Sequence, residues 1–85
     1  MYKLPDGTVT TDPTVYGTAW VKLGDDFLAL LPEAVREGWC MKGLDNPIIH
    51  FSRYVKTSLG DDVCAARMTI PAPVALALIE CLTIR

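Results

Sequence analysis

The last fifteen residues, Pro71-Ala-Pro-Val-Ala-Leu-Ala-Leu-Ile-Glu-Cys-Leu-Thr-Ile-Arg85, limit what this chain can become more than any other stretch. Glu80 is their only charge before Arg85. Pro71 and Pro73 fix φ and remove donors, so they close a strand and open a helix. A helix that is apolar on nearly every face must be buried against something. The chain has 85 residues, and a domain of that size buries only about 60% of the surface its unfolded chain exposes. The segment therefore asks for cover from inside the chain and, beyond that, from a partner. It is too short for the roughly 18 apolar residues of a membrane span.

An apolar fraction of 51% favours a folded core over disorder. Net charge is −2, from eight basic and ten acidic residues, which lends no global help to phosphate binding. The charge is uneven. Residues 39–60 hold Lys42, Arg53 and Lys56 against Asp45 alone, so a local basic segment exists. Cys40, Cys64 and Cys81 show no CxxC spacing, and each sits in an apolar run where a thiol behaves as a small hydrophobe. Residues 2–12 contain Lys3, Pro5, Asp6 and Asp12 and lack the apolar core of a secretory signal. The expectation is a cytoplasmic protein with reduced cysteines.

Pro5-Asp6-Gly7 is a turn between two short β-prone pieces, which predicts an N-terminal hairpin. Asp12-Pro13 supplies an N-cap and a first helical residue. Tyr16, Trp20, Leu23, Phe27 and Leu30 or Leu31 then recur on one helix face. Gly24 is expected to kink or break that helix, or to let another element approach it closely. Pro32–Glu37 reads as a second short helix or turn, ended by Gly38. Trp39–Leu44, Ile48–Val55 and Val63–Ile70 read as strands; Asp45-Asn46-Pro47 and Thr57–Asp62 are the turns. In Ile48–Val55, alternation sets Ile48, His50, Ser52 and Tyr54 on one face and Ile49, Phe51, Arg53 and Val55 on the other. Periodicity alone leaves the core face of that strand open.

The chemical inventory is thin. His50 is the only histidine. It reads first as a strand histidine with a satisfied ring nitrogen, and second as a general base or metal ligand helped by Asp45, Asp61 or Asp62. A thiol–imidazole pair would need Cys40 or Cys64 close to it in a polar site, whereas Cys64-Ala65-Ala66 suggests tight packing. Asp25-Asp26 and Asp61-Asp62 are adjacent acids that a strand points to opposite faces. No cofactor and no metal site is expected, and no phosphate-cradling or hydrolase motif occurs. Arg53, Tyr54 and Lys56 combine cations with an aromatic, which suits nucleic acid or the rim of a protein interface.

Leu4-Pro-Asp-Gly-Thr-Val-Thr-Thr-Asp-Pro13, followed by a helix with Ala19-Trp20 and Leu23-Gly24, resembles the opening of small accessory proteins of phages and prophages. The resemblance covers about the N-terminal third. It implies a protein that acts by contact, including inhibitors of host defence such as anti-CRISPR proteins, working in the host cytoplasm; it implies no catalytic residues.

The expected fold is a single α+β domain. It has an N-terminal β-hairpin, one kinked helix, a two- to three-stranded antiparallel sheet and an apolar C-terminal helix packed on the sheet. The expected function is protein–protein interaction without enzymatic activity, as a homodimer, accessory subunit or inhibitor. Its candidate contact residues are Trp39, Arg53, Tyr54 and Lys56, together with Val74, Leu78 and Leu82, or the opposite stripe, on the outer helix face of residues 74–84. Trp20 and Phe27 are expected in the core. The first rival is nucleic-acid binding through Lys42, Arg53, Tyr54 and Lys56; the second is a small enzyme using His50 with an Asp or Cys.

Overall fold

Asp12 starts the main helix as the sequence predicts. In the computed structural model, which describes residues 1–83, its Oδ1 accepts the Thr14 amide at 2.8 Å and Pro13 takes the first turn. Helix α1 spans Pro13–Ala29. Before it, β1 (Tyr2–Lys3) and β2 (Val9–Thr10) form the hairpin. In its turn Asp6 accepts from the Thr8 hydroxyl at 2.7 Å and amide at 2.9 Å, which holds the Asp6 carboxyl below its ordinary pKa. The short α2 (Glu33–Arg36) follows α1, with Gly38 just past its cap. Three antiparallel strands, β3 (Trp39–Asp45), β4 (Ile48–Lys56) and β5 (Asp62–Pro71), stand in that order, with β4 central. Helix α3 covers Ala72–Thr83. Ile84 and Arg85, the end of the apolar segment and of the outer face proposed over 74–84, lie outside the described residues.

The core is where the helical and strand periodicities meet. Trp20, Leu23 and Phe27 of α1 pack against Ile49 and Phe51 of β4 and against Ala72 and Ala75 of α3. Ile49 and Phe51 are 0% and 1% exposed, which fixes the core face that alternation left open. Each such side chain contributes about 1.5–3 kcal/mol by leaving water. Trp39, Met41, Leu44, Met68 and Ile70 extend this face along β3 and β5. Both long helices lie on one side of the sheet, α1 against β3 and α3 against α1 and β5. Trp20 also donates its indole N–H to the Lys3 carbonyl at 3.0 Å, tying the hairpin to the helix.

Helix α1 runs through Gly24 without the break that residue suggested. The close approach is what the glycine serves: an added Cβ would sit 2.9 Å from the Met41 sulfur. Packing of α1 onto β3 outweighs the about 1 kcal/mol that glycine costs in a helix.

Asp12→Ala removes the cap acceptor and is expected to cost about 1 kcal/mol. That corresponds to a fall of about 4–8 °C in thermal midpoint for a domain this small. Circular dichroism melts at neutral pH check it; an unchanged midpoint would mean that the cap is not formed in solution.

Candidate interaction surface

The residues proposed for contact fall into three places. Register explains the division. On β4, Arg53 points to the helix side, pairs with Trp39 across the strand, and donates through Nε to the Glu37 carbonyl at 3.3 Å. Trp39 is half-buried, packs against the core and borders a hollow with Leu28, Glu33 and Arg36. Tyr54 lies on the opposite, open face, where Lys42 places its ammonium 4.7 Å from the ring centroid. The Tyr54 hydroxyl beside it pushes the Lys42 pKa upward. Lys56 is bound to Asp62 at 3.2 Å. Arg53 and Tyr54 therefore do not form one patch: the sheet lies between them.

The open sheet face carries Lys42, His50, Ser52, Tyr54, Arg67 and Thr69. Arg67 reaches it opposite Ser52 and belongs to none of the predicted sets. Its signal was present in the sequence, as a cation within a strand otherwise made of small and apolar residues. His50 sits 3.5 Å from Asp45, a carboxylate whose side chain is 87% exposed. Cys64 pairs with Tyr54, four residues along the strand from His50, or about 13 Å at the rise of a strand. That spacing does not bring the Cys64 thiol to the imidazole. Among the described residues no three His, Cys, Asp or Glu side chains converge on a metal-sized point.

The third place is α3 and the strand beneath it. Ala72, Ala75, Leu76 and Ile79 form the inner arc of the helix. Leu76 borders Leu4, Pro5, Ala19 and Leu23, so it faces α1 and the hairpin. At about 100° per residue, Val74 and Leu78 lie about 160° around the helix from Leu76. They point away from α1. Val74, Leu78 and Leu82 are 47%, 42% and 48% exposed, so the stripe singled out from the sequence is uncovered within this chain. No described helix is long and apolar enough to cross a membrane.

Strand β5 is the unexpected part. Residues 62–67 are exposed on both faces, so the tight packing expected at Cys64-Ala65-Ala66 does not occur. Beyond Tyr54 the β4–β5 hairpin has no β3 residue paired beside it, and its turn ends in Leu59, which is 87% exposed. This arm lengthens the molecule to 45 × 33 × 17 Å, with a radius of gyration of 14.3 Å against about 12 Å for a compact domain of this length. The accessible surface is 5809 Å²; a folded monomer of 9.3 kDa exposes about 5,000 Å². Comparison with protein-family models, curated proteins and solved structures finds no match for this chain.

Proposed function

We propose that this chain works by protein–protein contact, as a small interaction module of the accessory-subunit or inhibitor kind, and not by catalysis. The observation that carries the reading is the Val74–Leu78–Leu82 stripe, three large apolar side chains that each stay almost half exposed on one side of a helix. Apolar surface gathered in this way is a mark of interaction sites. The arm formed by β4 and β5 adds an exposed backbone edge, a second means of binding another chain. The resemblance of the N-terminal third to phage accessory proteins favours the same mode of action.

The test uses the whole chain as bait, in parallel with a Val74→Glu/Leu78→Glu double variant, in extracts of cells that carry the protein. Copies of the chain or other proteins recovered by the native bait and lost with the variant are the expected result. Recovery of the same proteins by both baits would overturn the assignment of the stripe. Since both residues are already exposed, circular dichroism should show the variant folded.

A second reading rests on one observation: Lys42 and Arg67 share the open face with Tyr54. Cations beside an aromatic suit a single-stranded nucleic acid. Fluorescence anisotropy with a labelled oligonucleotide at two salt concentrations tests it. Binding that weakens with salt and with Lys42→Ala/Arg67→Ala would support this reading, and no binding at low salt would end it, because the phosphate contribution is largest there.

A further inference from the structure

We infer that the occupant of the α3–β5 side is a second copy of this chain, joined β5 to β5 in antiparallel fashion about a two-fold axis near Cys64 and Ala65. The inference rests on the interaction reading above and supplies its partner. Its first support is area. The surface exceeds that of a compact monomer by roughly 800 Å², about what one partner contributes to a stable interface of standard size. A two-fold pair satisfies both copies at once, since the same patch serves each side.

The second support is self-complementarity along β5. Residues in one strand normally share a face only when an even number apart. Here the register shift opposite Arg53 and Tyr54 leaves Ala65 as the extra residue, so that Asp62, Cys64 and Arg67 follow Lys56, Tyr54 and Ser52 onto the open face. Asp62 and Arg67 are thus five apart and on one side. An antiparallel copy centred between Cys64 and Ala65 sets Asp62 opposite Arg67 of the second copy, and Arg67 opposite the second copy's Asp62. On the helix side the same register sets Val63 against Ala66. Opposite charges directly across a strand pair stabilise it, and like charges destabilise it. Asp62 keeps Lys56 at 3.2 Å, whereas Arg67 has no acidic partner among the described residues of its own chain.

The third support is what this register does for α3. The stripe of Val74, Leu78 and Leu82 faces away from α1, and the same helix packs on β5, whose outer edge no described strand covers. A second β5 laid along that edge brings the uncovered arm of the other copy, with its Val63 and Leu59, beneath the stripe. The two three-stranded sheets become one of six strands, with the helices of both copies on the same side. Two open edges are consumed in the process, which removes the hazard of a long unpaired strand.

Sedimentation velocity of the full chain is expected to show a monomer–dimer equilibrium in the micromolar range. Asp62→Arg and Arg67→Asp each place like charges across both symmetric contacts and should each weaken the dimer by about tenfold or more. Mixed together, the two variants should associate again, since one then carries two acids opposite two cations. A short bismaleimide should link the native dimer through Cys64, whose two copies lie about 6 Å apart in this register. Cys64→Ser should abolish that product, and Cys81→Ser should leave it. A native chain that remains monomeric at several hundred micromolar overturns the inference, as does a dimer indifferent to both reversals or linked only through Cys81. Failure here would leave the interaction reading to be judged by loss of captured partners in the Val74/Leu78 variant, so the two can fail separately.

Discussion

Phe51→Ala is expected to destabilise the domain by about 3–5 kcal/mol, the usual cost of truncating a buried aromatic. The side chain is 1% exposed and stacks on Phe27 with ring centroids 5.5 Å apart. It is also where α1 meets the central strand, so the cavity would open between the two layers. A chain of 85 residues has only about 4–13 kcal/mol of stability in all. Much of the variant should therefore be unfolded at 37 °C. Urea titration followed by circular dichroism measures the loss. Phe51→Leu retains most of the volume and should lose less than half as much. A loss below about 1 kcal/mol for Phe51→Ala would show that the layers do not close on this residue.

Gly38→Ala should be the most damaging exchange outside the core. Gly38 has φ +83°, which costs a residue with a side chain about 1–2 kcal/mol. A Cβ there would also fall onto the Tyr54 carbonyl oxygen, a backbone atom that cannot step aside. Gly38 itself accepts the Tyr54 amide at 2.9 Å, so relief of the clash breaks the first link between β3 and β4. The sum should reach about 3 kcal/mol or more. Gly60 is the control. Its φ is +87°, yet nothing lies within 4 Å of an added Cβ, so Gly60→Ala should cost only the backbone part. Equal losses at the two positions would show that the contact with Tyr54 is absent.

Much of this architecture was legible before any coordinates. Asp12-Pro13, the spacing of Tyr16, Trp20, Leu23 and Phe27, and the turns at Pro5-Asp6-Gly7 and Asn46-Pro47 each specify structure within a few residues, and local rules read them correctly. Helical geometry likewise shows which apolar residues of α3 share an arc, but it leaves open whether Val74, Leu78 and Leu82 or the opposite stripe stays uncovered. What the sequence concealed depends on register across strands. Ile49 and Phe51 could not be told from Ile48 and His50, because both faces of β4 mix polar and apolar residues. Gly24 reads as a helix breaker until Met41 is seen against it. The one-residue shift at Ala65 has no mark in the sequence, yet it decides that Arg67 and Asp62 share a face. The scatter of the proposed contact residues was not concealed: alternation along Ile48–Val55 already sets Arg53 and Tyr54 on opposite faces, and grouping them by nearness in the sequence passed over it.

The indole of Trp20 links the two ends of the N-terminal region by a hydrogen bond to the Lys3 carbonyl, while Trp39, the only other tryptophan, stands half-buried at the far end of α1. The chain thus carries two built-in fluorophores in unlike surroundings. Trp20 should emit at shorter wavelength and resist quenching by iodide; Trp39 should be accessible to it. Exchanging either one for phenylalanine would leave a single emitter, one reporting detachment of the hairpin and the other events around α2 and the start of β3. Loosening at one end could then be timed against loosening at the other without attaching a dye.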